Sequence, residues 1–255
     1  MKTLLESHEL EKEYRLDKHN SVRVLKGVDL RIERGEFVSV MGPSGSGKST
    51  LLYNISGMDR MSAGSVQFND RELNALSEKE LARMRLREMG FVFQQIHLLR
   101  NLNVLDNIIL SGYLAEKKER ALIDQKAQEL MELTGIAHLA GNSITQASGG
   151  QLQRVGICRA LIKDPEIIFG DEPTAALDSK SAAEILDLMK RINEAGTTIM
   201  LVTHDIKVAS RTERVLFMLD GRITAEKQLG PFIEEGEAAR QREAELTGWL
   251  LEQGL

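Results

Sequence analysis

Cysteine is almost missing from this chain: Cys158 is the only one in 255 residues. A lone thiol excludes an internal disulfide and any metal cluster built on cysteines, and it fits a reducing compartment. Its expected role is that of a small apolar residue in a buried helix. Long apolar runs are missing as well. No stretch approaches the ~20 residues needed to cross a bilayer, and Met1-Lys2-Thr3-Leu4-Leu5-Glu6 has no apolar signal core. Any membrane role is therefore expected to come through a partner. Nor is there an excess of positive charge. Lys and Arg total 33 against 38 acidic residues, and the net charge of −5 gives no general attraction to nucleic acid or anionic lipid. Internal repeats, low-complexity tracts and heptad runs are absent too.

With 42% hydrophobic residues the chain can bury a full core, as one large domain with room for a helical insertion. Its most informative run is Gly42-Pro43-Ser44-Gly45-Ser46-Gly47-Lys48-Ser49-Thr50, which follows the strand-like Phe37-Val38-Ser39-Val40-Met41 and leads into the helical Leu51-Leu52-Tyr53-Asn54-Ile55. Glycines let the backbone curl so that successive N–H groups point at β- and γ-phosphates, and the following helix presents its positive end. Lys48 is placed to bridge phosphate oxygens and the Ser49 hydroxyl to hold Mg²⁺. The run is a P-loop in strand–turn–helix context and predicts a bound nucleoside triphosphate.

A P-loop alone leaves many activities open. Downstream, the apolar strand Ile167-Ile168-Phe169-Gly170 ends in Asp171-Glu172. Asp171 can reach a Mg²⁺ shell, usually through water, and Glu172 can orient and polarise an attacking water. Adjacent Asp and Glu favour hydrolysis over phosphoryl transfer to a substrate. A third element is Ala147-Ser148-Gly149-Gly150-Gln151, continuing as Leu152-Gln153-Arg154-Val155 into a helix that runs to about Ile162.

Ser-Gly-Gly-Gln opening a helix just before an Asp-Glu strand resembles the signature motif of the ATP-binding cassette (ABC) ATPases. The resemblance spans nearly the whole chain, from Leu10 to about Ile223. It implies that Ser148, Gly149, Gly150 and Gln151 form a second anion-binding surface, which contacts the γ-phosphate of ATP held by another subunit. Two cassettes then close head to tail around two nucleotides. By the same resemblance Tyr14 matches the aromatic that stacks on adenine. Gln94, with Gln95 as the alternative, matches the residue that contributes to Mg²⁺ and the attacking water. Asp178 matches the loop Asp that communicates between the two sites, and His204 the switch His that hydrogen-bonds the γ-phosphate. Three positions depart from the pattern: Ala147 stands where Leu is usual, Gly170 where Ala is common, and Ala175 where Gly or Ser is usual. None removes a phosphate ligand, but Ala147 leaves less apolar packing beneath the signature helix.

The implied fold is an α/β P-loop cassette: a mixed sheet core, an N-terminal antiparallel β subdomain and an inserted helical signature subdomain. The cassette is expected over 1–230, its helical subdomain over about 95–162, and a C-terminal helical extension over 231–255. Strands are expected at Ser7 to Tyr14, Val22 to Ile32, Phe37 to Met41, Gly64 to Phe68, Gly90 to Phe93, Glu166 to Asp171 and Thr197 to Thr203. Ser77-Glu78-Lys79-Glu80 reads as a capping box, with Leu81, Met84 and Met89 on the buried stripe of its helix. Asn103 to Gly141 is helix-prone, and Ser181 to Asn193 reads as a helix burying Ile185, Leu188, Met189 and Ile192. After the break at Gly230-Pro231, Glu234 to Gln253 can form a helix with Leu246, Trp249 and Leu250 on one face.

Phe91-Val92-Phe93-Gln94-Gln95-Ile96-His97-Leu98-Leu99 and Asn103-Val104-Leu105-Asp106-Asn107-Ile108 resemble the cassette group serving macrolide exporters, lipoprotein release, the cell-division permease and bacitracin-type peptide resistance. In that group this region receives a cytoplasmic helix of the permease, and the permease selects the substrate. Asp164-Pro165-Glu166-Ile167-Ile168-Phe169 and Ala176-Leu177-Asp178-Ser179-Lys180-Ser181-Ala182 are most similar to the antimicrobial-peptide branch. The resemblance implies ATP and Mg²⁺ as ligands, a second cassette subunit in a homodimer, and an integral membrane permease as partners, without nucleic acid. The implied location is the cytoplasmic face of the membrane, peripheral through the permease. An alternative within the family is an ATPase whose motion signals to an extracytoplasmic enzyme or sensor and moves no solute. Chromosome-structure ATPases need long heptad coiled coils, ribosome-acting factors carry two cassettes, and P-loop kinases do not require Ser148-Gly149-Gly150-Gln151.

Overall fold

Strands whose side chains alternate between core and solvent open the chain, and strands buried along their whole length follow. In a computed structural model that describes residues 2–15, 17, 20–115, 119–232 and 236–254, the elements run β1 (Thr3–Arg15), β2 (Ser21–Glu33), β3 (Phe37–Met41), α1 (Lys48–Ile55), β4 (Ala63–Phe68), β5 (Arg71–Glu72), α2 (Glu78–Glu88) and β6 (Met89–Phe93). There follow α3 (Val104–Ala115), α4 (Arg120–Leu133), α5 (Gly149–Leu161), β7 (Ile167–Asp171), α6 (Ser179–Glu194), β8 (Thr198–Val202), α7 (Ile206–Ala209), β9 (Arg214–Leu219), β10 (Arg222–Gln228) and α8 (Gly236–Glu252). None of the described helices is long and apolar enough to cross a membrane. The chain divides into two compact units, Met1–Leu81 with Thr198–Leu255, and Ala82–Thr197.

The first unit holds an antiparallel sheet in the order β2-β1-β4-β5. Its β1–β2 pairing sets Leu5 opposite Ile32 and Tyr14 opposite Val22, and Leu5, Leu10, Leu25, Val28 and Ile32 are buried. Beside these strands lies a mixed array, β10-β9-β3-β8, in which β9, β3 and β8 run parallel and β10 pairs antiparallel with β9. Every residue of β3 and β8 is buried, as expected of parallel strands covered on both faces. β9 and β10 were not among the expected strands; β9 carries a continuous apolar run, Val215 to Leu219, whereas β10 alternates exposed and half-buried residues. At the chain's end α8 packs Leu246 and Leu250, both fully buried, against Met41, Ala209, Val215 and Phe217, and Trp249 lies edge-on to Phe217. Glu234, the expected first residue of this helix, lies outside the described residues.

The second unit contains the parallel pair β6–β7, with Phe91 opposite Phe169 and Phe93 opposite Asp171. Helices α3, α4 and α5 pack together through Val104, Ile108, Ile123, Ala127, Met131, Val155 and Ile157, all buried. Helix α6 buries Ile185, Leu188, Met189 and Ile192 as its spacing indicates, and Leu186 with them. This unit is wider than the helical segment expected over 95–162, because a strand pair and α6 belong to it. Met89 is buried, but as the first residue of β6 and not on the stripe of α2; the helix ends where apolar spacing of two replaces spacing of three and four. Cys158 is buried against Thr134, and desolvation pushes its thiol up to about 11, so it behaves as an inert small residue.

Candidate functional site

In the first unit β3 ends at Met41 and the chain turns through Gly42–Gly47 into α1. A Cβ at Gly42 would sit 2.0 Å from the Met218 carbonyl oxygen of β9, so no larger residue fits. Gly47 occupies the N-cap of α1 at φ 104°, a left-handed conformation, and brings no side chain to cap the helix. The first turn of α1 also holds no acidic residue. The positive end of the helix therefore meets no carboxylate of its own first turn, an environment that favours a ligand of negative charge. Lys48 is almost fully buried, and its Nζ donates to the carbonyls of Gly42 and Pro43, 2.9 Å from each. The Ser46 hydroxyl is buried without a hydrogen-bond partner. A buried hydroxyl with no acceptor is costly, and a phosphate oxygen would satisfy it. The loop thus fits a nucleotide's phosphates on its own geometry.

His204 follows β8, the parallel neighbour of β3. Val40 pairs with Val202, and the Thr203 amide donates to the Val40 carbonyl at 3.1 Å. His204 and the P-loop therefore leave the same, C-terminal end of adjacent parallel strands, where open α/β sheets bind their ligands. Tyr14 lies near the end of β1 with its ring partly exposed. Its hydroxyl donates to Asp59 at 2.6 Å, and Lys12 stands 4.7 Å from the ring centroid. Burial and the Asp59 carboxylate push the phenol up to about 12, an effect opposed by the Thr50 hydroxyl. Lys12, itself buried, donates to Asp59 at 2.7 Å and to the Arg60 carbonyl at 2.6 Å. Burial alone would raise the Asp59 carboxyl, but the hydrogen bonds from Lys12 and Tyr14 hold it below its ordinary value.

In the second unit Gln94 and Asp171 sit side by side at the ends of β6 and β7, where the Gln94 amide donates to the Asp171 carbonyl at 2.9 Å. Glu172 follows in a left-handed conformation, φ 48°. Such a conformation is disfavoured for Glu and is held by its surroundings. Ser148 is the N-cap of α5: its Oγ accepts from the Gln151 amide at 3.3 Å, and Gln151 Oε1 accepts from the Ser148 amide at 2.8 Å. Ser148 and Gly149 are exposed, and Ser148, Gly150 and Gln151 border a groove of about 430 Å³ that also reaches Thr134, Arg154 and Glu184. Asp178 caps α6, accepting from the amides of Lys180 and Ser181 at 3.0 Å and from the Ser181 hydroxyl at 2.7 Å. Those Ser181 bonds hold its carboxyl below the ordinary range. Gly150 adjoins the same residue; a Cβ there would lie 3.1 Å from Ser181 Oγ.

Of the residues singled out by the sequence, Tyr14, Gly42 to Thr50 and His204 lie in the first unit and Gln94, Ser148 to Gln151, Asp171, Glu172 and Asp178 in the second, where Gln94 adjoins Asp171 and Gly150 adjoins Ser181 of the helix that Asp178 caps. Among the described residues no cluster of three or more His, Cys, Asp or Glu could hold a metal by itself. Sequence reasoning missed two groups. Lys12 and Asp59 fix the Tyr14 ring, and Gln153, buried on α5, donates to the Phe93 carbonyl at 3.3 Å. A glutamine on the buried face of a helix was the available signal for the latter.

The model of the family described as ABC transporter matches residues 25–175. The bacitracin export ATP-binding protein BceA of Halalkalibacterium halodurans is 43% identical over 239 residues, 93% of this chain and 91% of that protein. The lipoprotein-releasing system ATP-binding protein LolD 1 of Rhodopseudomonas palustris is 39% identical over 224 residues, 88% of this chain and 99% of that one. Among solved structures, the ATP-binding cassette MJ0796 of Methanocaldococcus jannaschii, dimeric in a post-hydrolysis state with ADP and Pi, is similar with a TM-score of 0.81 at 39% identity, covering 90% of this chain and 100% of that one. A family match over more than half of the chain, and 43% identity sustained along most of its length, mean that this protein belongs to the ABC transporter family as one of its cassette ATPases.

Proposed function

We propose that this ABC ATPase hydrolyses ATP between two copies of itself and so drives a membrane permease. The observation that carries the nucleotide reading is the Ser46 hydroxyl, buried without a partner beside an amide-lined turn and the Lys48 ammonium. In this reading Ser46, Lys48 and the amides of Gly42 to Thr50 hold the phosphates, and Tyr14 stacks on the adenine with the ring face that Lys12 does not take. Mg²⁺, bound with the nucleotide, supplies neutralisation of phosphate charge; Ser49, Gln94 and Asp171 are the residues that would hold it. Glu172 accepts a proton from the attacking water, and His204 donates a hydrogen bond to the γ-phosphate. Ser148, Gly149, Gly150 and Gln151 receive the partner copy's nucleotide through the exposed first turn of α5, and Asp178 links that surface to α6.

The dimer is supported by the solved cassette relative, which is dimeric. A permease partner and a place on the cytoplasmic face of the membrane are supported by the names of the export and lipoprotein-releasing relatives. Peptide-antibiotic resistance is the branch we favour, on the 43% identity to a bacitracin export subunit. Closure by nucleotide requires that the closed dimer bind ATP more tightly than the open chains do. Glu172→Gln should therefore run as an ATP-bound dimer on size exclusion, with hydrolysis lost. A monomer that keeps its ATP would overturn the head-to-tail reading. Capture of the tagged chain from native membranes in mild detergent should bring a permease with a large extracytoplasmic domain; recovery of ribosomes or DNA instead would remove the transporter assignment.

A further inference from the structure

Arg242 of α8 spends all five of its guanidinium N–H groups on backbone carbonyls. Its Nε donates to Ser210 at 2.6 Å, Nη2 to Thr212 at 2.8 Å and Gly230 at 2.6 Å, and Nη1 to Leu229 at 2.7 Å and Pro231 at 3.2 Å. Two of these carbonyls lie in the turn that leaves α7, Ser210 as its C-cap and Thr212 two residues on; the amides of Ser210 and Thr212 in turn hold the Ile206 and Ala209 carbonyls of the helix, so Arg242 grips the turn that closes α7. The other end of α7 begins at His204-Asp205: the Asp205 carboxylate accepts from the Lys207 amide at 2.8 Å, and the Asp205 amide donates to Thr203 Oγ1 at 3.0 Å. One turn of helix, about 6 Å at 1.5 Å per residue, separates the two ends. A rod that short has no room to bend. The segment is tied down further by the Thr212 hydroxyl, 2.9 Å from Ser39 Oγ in β3.

We infer that Arg242 is a positioning residue for ATP hydrolysis: it clamps the turn that closes α7 and thereby fixes where His204, at that helix's opposite end, presents its imidazole. The inference rests on the reading of His204 as the group that meets the γ-phosphate. It assigns α8 a part in the reaction, which the family match over residues 25–175 does not contain. Lysine does not substitute, since a single ammonium has three donors and no planar fork to span carbonyls from two loops.

The test uses the chain and three variants: Arg242→Lys, Arg242→Gln, and Ile192→Ala, in the buried face of α6, as a control that lowers stability without touching α7 or α8. Both Arg242 variants are expected to lose roughly tenfold in kcat, the scale of a small misplacement of a reacting group, with KM for ATP unchanged. Ile192→Ala should melt earlier yet keep its kcat. Hydrogen exchange at the amides of Val208, Ala209 and Ser210 should quicken in the Arg242 variants while that of β3 does not. In a His204→Ala background, Arg242→Gln should cost nothing further, since coupled residues are not additive. An equal loss in both backgrounds, an unchanged kcat, or a kcat that falls with Tm alike in all three variants would overturn the inference. If His204→Ala itself leaves hydrolysis intact, the reading of His204 fails; exchange at α7 still decides whether Arg242 holds that helix.

Discussion

Gln153 donates from Nε2 to the Phe93 carbonyl, so the helix that opens at Ser148 holds the backbone one residue ahead of Gln94. Arg159 on the same helix grips the next part of that segment, donating to the Ile96 carbonyl at 2.6 Å and the His97 carbonyl at 3.0 Å. Gln153→Leu keeps the side chain's bulk and removes the donor, an expected loss of about 1–2 kcal/mol in stability. Turnover should fall severalfold with KM for ATP near wild type. Urea melts beside steady-state kinetics check this; a stability loss with intact kcat would show that the contact is structural alone.

Ser46→Ala separates folding from binding. Deleting a hydroxyl that is buried without a partner should leave the nucleotide-free protein as stable as before, or more stable by about 1 kcal/mol. ATP would lose a donor, and the rise in Tm that ATP produces should shrink as its Kd weakens. Melting curves with and without ATP give both quantities. A destabilised nucleotide-free protein with undiminished ATP response would contradict the role given to this hydroxyl.

Gly42→Ala should abolish ATP binding. The added methyl meets the Met218 carbonyl at 2.0 Å, a backbone atom that cannot rotate away, so the loop or β9 must shift. A stability loss above about 2 kcal/mol is expected from such overpacking. Equilibrium binding of a fluorescent ATP analogue measures the effect, and near-normal affinity would mean that the loop tolerates another shape.

The Tyr14–Asp59–Lys12 cluster should give the fold an acid-sensitive increment. Because Asp59 is held below its ordinary value of 3.8, its contribution is complete above that value and is lost as pH falls through the lowered one. Tyr14, raised to about 12, contributes fully below 10 and loses its share as pH climbs toward 12. Asp59→Asn should therefore be less stable than wild type at neutral pH, and the two curves should converge in strong acid. Denaturation midpoints from pH 2 to 8 would show it. A constant gap across that range would mean that the carboxylate's charge does no stabilising.

The chemistry-bearing turns were legible because their residue types are forced by local backbone geometry. Gly42 and Gly47 are needed where they stand, Ser148 and Gln151 close a reciprocal cap, and Asp178 caps the next helix. The apolar runs in β3, β7 and β8 were legible because strands buried along nearly their whole length admit few polar side chains. What the sequence hid depends on partners far along the chain. β10 alternates exposed and half-buried residues and shows as a strand only through pairing with β9. Gln153 and Arg242 look like ordinary helix polars until the carbonyls they grip are in view. Tyr14 gave no hint that Asp59, far down the chain, would hold its hydroxyl.

The first unit is built from two lengths of chain, one on either side of Ala82–Thr197. During synthesis β3 emerges early, apolar but for Ser39, and waits for β8 and β9 as neighbours, so its exposed edges need shielding until late in translation. The P-loop waits with it, since the Met218 carbonyl lies directly behind Gly42 and the Gly221 amide holds the Ser46 carbonyl at 3.0 Å. Nascent chains halted before Met218 should carry the whole phosphate-binding run and yet be blind to ATP.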